Sequence, residues 1–153
     1  MTPVENIYAR ISAIIEDHTY CKLPDEDIEF LFKNFLETAI VYFKELNVKY
    51  APIIIEDEIG EFYIKKTKNT TEDESGLDLD EEVILAHGMI ISWHRSKILR
   101  DKFLKQNLNT GDFNRLSNAT MLANNLTLME ELNKEFTKLR RRYRNRDWSG
   151  DGL

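Results

Sequence analysis

The sequence predicts a mainly α-helical protein: a small helical bundle with one short β-hairpin and a long C-terminal helix. Three observations lead to this prediction. Apolar residues recur at helical spacing over most of the 153 residues. One internal stretch, "APIIIEDEIGEFYIKK", instead has two short β-branched and aromatic runs around an acidic turn. A seven-residue apolar repeat near the C-terminal end predicts one helix with a continuous seam.

Two helices are predicted in the N-terminal third of the chain. The first runs from about Pro3 to His18, with Thr2 as N-cap and Glu5 at the third helical position, which together form a capping box. The second lies in "LPDEDIEFLFKNFLETAIVYFKEL", whose acidic start suits the positive end of a helix dipole. Its apolar stripe is widened by Phe30, Leu31, Val41 and Phe43, so we expect burial on more than one side.

The middle of the chain predicts a hairpin followed by an acidic loop. Residues Ile53–Glu56 pair with Glu61–Lys65, giving a hairpin near 53–65. An isolated hairpin is marginally stable in water, so it must pack on the helices or pair with another chain. Residues 66–78 are polar and acidic, and we expect them to form a contact element or a mobile loop outside the core.

Two further helices complete the prediction. One runs from about Asp80 to Trp93, is apolar nearly all round and belongs at the centre of the fold; Gly88 inside it indicates close approach of a neighbouring backbone. A shorter helix near residues 98–104 follows. The last runs from Ser117 to about Tyr143. Its seam packs either on this chain's own helices, which we favour, or on another subunit. The seam residues are Leu122, Met129, Leu132, Phe136, Leu139 and Tyr143.

Charge is distributed unevenly along the chain. The formal net charge is -6, but residues 1–90 hold 20 acidic and 8 basic residues, a net of -12, and residues 91–153 hold 7 and 13, a net of +6. Such asymmetry indicates two surfaces that meet different partners. Cys21, the only cysteine, excludes an internal disulfide framework. The longest apolar run, 83–93, is too short to cross a bilayer, and the N-terminus lacks the features of a signal peptide, so we expect a soluble protein made in a cytoplasm.

No motif in the sequence indicates catalysis, a metal or a cofactor. His18, His87 and His94 form no known ligand pattern, and Cys21 has no flanking motif. No glycine-rich phosphate-binding loop is present. The acidic triplets at 56–58 and 72–74 lack the spacing of a calcium loop and are interpreted as solvated charge. The sequence therefore predicts a non-enzyme without catalytic residues, metal ligands or cofactor.

A cationic cluster lies at the end of the predicted last helix. Complementing the helix dipole explains one or two of these charges but not six. The cluster therefore indicates a partner with carboxylates or phosphates, and the nearby Trp148 has the character of an anchor for a partner's pocket. We divide the chain into a helical domain, 1–143, and a docking tail, 144–153. The cations are Lys138, Arg140, Arg141, Arg142, Arg144 and Arg146.

The segment "EEVILAHGMIISWHRSKI" together with "SNATMLANNLTLMEELNKEFTKLRRRYRNRDW" resembles head–tail connector proteins of tailed bacteriophages. The shared pattern is a buried helix with Gly-Met and a later Trp, then a Ser-started helix ending in a basic Arg-Tyr run. "HRSK" replaces the Pro-containing turn expected after the Trp. The resemblance covers about the last 75 residues.

The resemblance implies a ring-forming adaptor under the portal, commonly of twelve copies, that joins capsid to tail. The cluster and Trp148 would dock on the portal protein, and other loops would meet the next neck or tail ring. Such a protein is assembled in the host cytoplasm and resides at the head–tail interface of the virion. DNA would pass through without specific binding, because an acidic lining does not hold phosphates.

Two alternatives remain at this point. The first is a DNA-binding helical module that uses the same arginines, although the net charge of -12 on residues 1–90 repels a polyanion. The second is a regulatory scaffold that uses the heptad seam.

Overall fold

The fold is given by a computed structural model, which describes residues 1–15, 24–44, 52–66, 76–107 and 112–146. Within these ranges the protein has four helices and a small three-stranded sheet, which confirms the predicted mainly helical fold with a long C-terminal helix. In chain order the elements are β1 (Thr2–Pro3), α1 (Val4–Ser12), α2 (Asp25–Lys44), β2 (Pro52–Glu56), β3 (Phe62–Lys66), α3 (Leu79–Asn107) and α4 (Asp112–Arg146).

The predicted hairpin is present and gains a third strand. The sheet has the order β1-β3-β2 with both neighbours antiparallel, and Ile54 lies opposite Ile64 in the hairpin. The turn is closed by Asp57, whose Oδ1 accepts hydrogen bonds from the N–H groups of Ile59 at 2.9 Å and Glu61 at 2.8 Å. Gly60 adopts a φ of 88°, a conformation that side chains with a Cβ rarely adopt.

The predicted capping box at the first helix is wrong. Thr2 lies in β1 opposite Ile64, and its hydroxyl oxygen accepts a 2.7 Å hydrogen bond from the N–H of Leu77, far along the chain. Pro3 occupies the cap position without a side-chain hydrogen bond. Thr2 therefore ties the start of the chain to the segment before α3. The predicted continuation of this helix to His18 is wrong, because α1 ends at Ser12 and residues 13–15 are not helical; His18 and Cys21 themselves lie outside the described residues.

Helix α3 is the central element, as predicted, and packs against α1, α2 and α4. A Cβ at Gly88 would lie 2.9 Å from the Cβ and 3.2 Å from the Cα of Ala39, which confirms the predicted close approach of a neighbouring backbone. The predicted end at Trp93 is wrong, because α3 continues to Asn107. No Pro or Gly interrupts residues 94–107, so the helix has no local reason to stop there.

Helix α4 begins at Asp112, five residues before the predicted Ser117, and packs its seam onto this chain's own core. Phe136 and Tyr143 are buried and contact aromatic rings of α2, with Tyr143 5.6 Å from the ring of Phe43. Met129, Leu132 and Leu139 pack partly buried against the same core. The intramolecular interpretation of the seam is therefore confirmed for this half of α4.

Two further predictions from the sequence concern the acidic loop and the length of the apolar segments. Of the acidic loop predicted at 66–78, residues 67–75 lie outside the described ranges. The predicted bounds are wrong at both ends, because Lys66 is the last residue of β3 and Leu77 packs partly buried against the core. Among the helices that the structure describes, none combines the length and apolar character that a membrane span requires.

Candidate partner-binding site

The cations predicted at the end of α4 differ in their exposure to solvent. Lys138, Arg141, Arg142 and Arg144 are exposed. The half-buried Arg140 lies with its guanidinium carbon 5.4 Å from the ring centroid of Phe136, a cation–π contact at the edge of the core.

Two further residues of the predicted site are placed differently. Arg146 is the last residue of α4, although the sequence assigned it to a tail that begins at residue 144. Trp148 lies outside the described residues. The structure thus brings together the exposed and half-buried cations of α4 on one helix and gives no geometry for Trp148.

Arg146 folds back onto the start of α3. Its Nη1 donates to Asp78 Oδ2 at 2.7 Å, and its guanidinium carbon lies 4.2 Å from the ring centroid of Tyr143. Asp80 and Glu81 place further carboxylate oxygens at 3.7 Å. Partial burial disfavours the charged guanidinium, but the hydrogen bond to Asp78 and the surrounding negative charge outweigh it and raise the pKa of Arg146. This cation is held by the chain's own carboxylates.

Glu81 is the centre of this cluster and is completely buried. It forms a reciprocal capping box with Asp78: the Asp78 N–H donates to Glu81 Oε2 at 2.8 Å, and the Glu81 N–H donates to Asp78 Oδ1 at 2.9 Å. The hydroxyl of Tyr143 donates to Glu81 Oε1 at 2.8 Å, and Lys66 Nζ lies 2.7 Å from Oε2. One carboxylate therefore joins β3, α3 and α4.

The Glu81 cluster is not among the sites predicted from the sequence, although a signal for it is present. Asp78 followed three residues later by Glu81, directly before the apolar run 83–93, is the pattern of a capping box. The contacts of Lys66 and Tyr143 are separated from Glu81 by many residues, and no local pattern indicates them.

The outward side of α4 forms a basic face. Lys134, Lys138 and Arg141 lie three to four residues apart and line a shallow hollow of about 390 Å³ together with Asn133 and Thr137. All three cations are exposed, and none forms an ion pair with another described residue. Lys134 was not part of the predicted site because it lies one turn before the dense run of arginines.

The outward side of α2 carries exposed carboxylates and large exposed apolar side chains, and the half-buried Lys33 on the same side lies with its Nζ 4.2 Å from the ring centroid of Phe62. Glu26, Phe30, Glu37 and Val41 recur at helical spacing and are all exposed, with 67% of Phe30 and 56% of Val41 accessible to solvent. The predicted widening of the buried face is confirmed for Phe43, which is completely buried, but it is wrong for Phe30 and Val41. They lie on the opposite side of α2 from Ala39, which packs against Gly88.

The two histidines that the structure describes, His87 and His94, both lie in α3 and contact neighbouring groups of that helix. His87 Nδ1 lies 3.0 Å from the carbonyl oxygen of Val83 in its own helix. His94 is buried with its ring centroid 4.6 Å from that of Trp93, and burial, with a smaller contribution from Lys97, lowers its pKa. Among the described residues, no group of three or more His, Cys, Asp or Glu side chains is placed to hold a metal ion.

Comparison of the chain with protein families, curated proteins and solved structures finds no match. The resemblance to head–tail connectors therefore stays a prediction from the sequence pattern.

Proposed function

We propose that this chain is a structural, non-catalytic head–tail connector of a tailed bacteriophage, a ring-forming adaptor that joins the capsid portal to the tail. One observation carries the proposal: the longest helix presents exposed cations at an end that is fixed to the core on its other side. Arg142 and Arg144 are exposed there, while Tyr143 between them is buried and bonded to Glu81. The charges are therefore displayed on a rigid support, as docking to a large partner requires.

An acidic protein surface fits this helix end better than a nucleic acid does. Asp78, Asp80 and Glu81 surround Arg146 at the same end of the molecule, so a phosphate approaching α4 meets carboxylates beside the arginines. A protein partner such as a portal ring can place its own carboxylates against Arg142 and Arg144 alone. The DNA-binding alternative becomes an outcome of the test described below.

The shape of the molecule also supports a connector. Helix α4 has 35 residues, about 52 Å at the usual helical rise, and it packs along α3, which has 29 residues. Three large apolar side chains on these two helices are exposed to solvent: Leu99, Met121 and Leu128. A long helix pair with cations at one end and exposed apolar side chains elsewhere offers separate surfaces for two partners, the portal and the next neck or tail ring.

The test measures portal binding directly. Co-sedimentation with a portal ring is compared for the wild type, for Arg142→Glu/Arg144→Glu and for Trp148→Ala. The double reversal should abolish docking and change the free energy of unfolding by no more than about 0.5 kcal/mol per site, because both residues are exposed. Trp148→Ala should weaken docking by about 2 kcal/mol, as expected for a buried anchor.

The matched control is Arg95→Glu/Arg100→Glu, which reverses two exposed cations on α3 and should leave docking unchanged. A filter-binding assay with duplex DNA runs in parallel at physiological salt. Tight DNA binding that is lost in Arg142→Glu/Arg144→Glu, with portal docking unaffected, would replace the connector proposal with the DNA-binding module.

A further inference from the structure

We propose that the acidic outward face of α2 in one copy of this chain binds the basic outward face of α4 in the next copy, head to tail. This inference rests on the proposed ring-forming function and names the surfaces through which the ring would form. The partner is a second copy, because one chain carries both halves of a complementary pair.

The α2 face is suited to a basic partner. Glu26 and Glu37 flank Phe30, and neither carboxylate forms an ion pair with another described residue. Phe30 is 67% exposed, an unusual position for a large aromatic side chain on the solvent face of a helix. Val41 continues the face to a second hollow of about 330 Å³, which it lines together with Ile53 of β2. A partner that buries Phe30 while supplying cations on either side would satisfy all of these groups.

The α4 face has the matching chemistry. Its hollow of about 390 Å³ is lined by Lys134, Lys138 and Arg141, whose aliphatic stems can cover an aromatic ring while their charged ends remain outside. A cation within about 6 Å of an aromatic ring is attracted to its face. Phe30 seated in this hollow would meet both interactions.

The spacing along the two helices agrees with this arrangement. Glu26 lies about 6 Å and Glu37 about 10 Å along the axis from Phe30, one on each side. With Thr137 at the middle of the hollow, Lys134 and Arg141 lie about 5 and 6 Å away on opposite sides, and their long side chains cover the remaining distance.

The two faces cannot satisfy each other within one molecule. Both helices pack their opposite sides on the same core: Ala39 of α2 and Phe136 of α4 both lie next to Gly88 of α3. The α2 face and the α4 face therefore point away from this shared contact. An interface between two different surfaces of identical chains is heterologous, and it generates a closed ring or an open filament.

The test uses charge exchange between the two faces. Association is followed by sedimentation velocity at low salt for the wild type, for Glu26→Lys/Glu37→Lys and for Lys134→Glu/Lys138→Glu. Each variant alone should associate on the order of 10- to 100-fold more weakly, because attraction becomes repulsion at both sites. An equal mixture of the two variants should recover assembly with alternating subunits, because every α2 face then meets an α4 face of opposite charge. Added salt should weaken wild-type association.

Two controls keep the number of reversed charges constant. Glu5→Lys/Glu58→Lys and Arg95→Glu/Arg100→Glu change exposed residues of α1, the hairpin turn and α3, away from both faces, and should associate as the wild type does. Thermal unfolding of each variant verifies that it is folded.

Three results would overturn the inference: a wild type that is monomeric at low salt up to its solubility limit, a mixture that does not recover assembly, or association that the reversals leave unchanged. Portal co-sedimentation separates this inference from the proposed function. A wild type that docks on the portal but does not self-associate refutes the inference alone. Intact self-association without portal docking refutes the connector proposal.

Discussion

Replacing Glu81 with Gln removes the negative charge at the centre of the buried cluster and preserves the size of the side chain. The amide oxygen can still accept the hydrogen bond of Tyr143, but the NH2 group then replaces Oε2, so the acceptor of the Asp78 N–H is lost together with the counter-charge of Lys66. Lys66 Nζ lies 2.7 Å from Glu81 Oε2, and its side chain is 11% exposed.

The expected cost follows from this geometry. Removing one partner of a buried ion pair destabilises a protein by about 3–5 kcal/mol, because the remaining charge is left without compensation. The small exposed fraction of Lys66 lets its ammonium group approach water, so we expect about 2–4 kcal/mol for Glu81→Gln. For a chain of this length, that corresponds to a fall in melting temperature of about 4–16 °C.

The assay is urea unfolding followed by circular dichroism, for the wild type, Glu81→Gln, Lys66→Met and the double variant. Because the double variant removes both charges, it should be more stable than the sum of the single changes predicts, by about 1–3 kcal/mol. A loss below about 1 kcal/mol in Glu81→Gln, or strict additivity in the double variant, would contradict the assignment of Glu81 as the centre of the cluster.

Three further predictions concern stability. Gly88→Ala should lower the free energy of unfolding by about 1–3 kcal/mol in urea titrations, despite the better helix propensity of Ala. Adding Ala39→Gly should reduce that loss, and a Gly88→Ala variant that is more stable than the wild type would contradict the close contact. Because the pKa of His94 is lower in the folded state, the stabilising contribution of its neutral ring is complete above pH 6.5 and is lost as the pH falls through the folded-state pKa. Thermal unfolding of His94→Leu should therefore show a weaker destabilisation by acid than the wild type does, and an unchanged destabilisation would refute this prediction. Asp57→Ala should cost about 1 kcal/mol in thermal unfolding by removing two hydrogen bonds of the hairpin turn, and no loss would mean that the turn does not depend on them.

Local patterns in the sequence predicted the elements of the fold, and long-range contacts decided the exceptions. Gly88 inside an apolar helix was enough to predict close packing, because Gly is costly there unless a neighbour needs the space. Thr2 has the local pattern of a helix cap, but pairing with Ile64 and a hydrogen bond from Leu77 place it in a strand. Strand pairing between residues so distant in sequence leaves no periodic signal in a two-residue segment.

The candidate site was predictable in composition but not in orientation. A run of arginines indicates positive charge, but the position of each residue around the helix determines whether its side chain faces solvent. Arg146 was grouped with its neighbours because its carboxylate partners, Asp78 and Glu81, lie more than sixty residues earlier. Phe30 was assigned to the core by its hydrophobicity, yet helix geometry places it on the side opposite Ala39.

The attachment of Arg146 to the start of α3 has a mechanical consequence. A partner that pulls on the C-terminal end of α4 first loads the contacts of Arg146 with Asp78 and of Tyr143 with Glu81. These bonds transmit the load directly into α3, the central helix, and through Lys66 into the sheet. Tension at this end is therefore shared among several elements in parallel, which protects the last turn of α4 from unwinding when the molecule carries force.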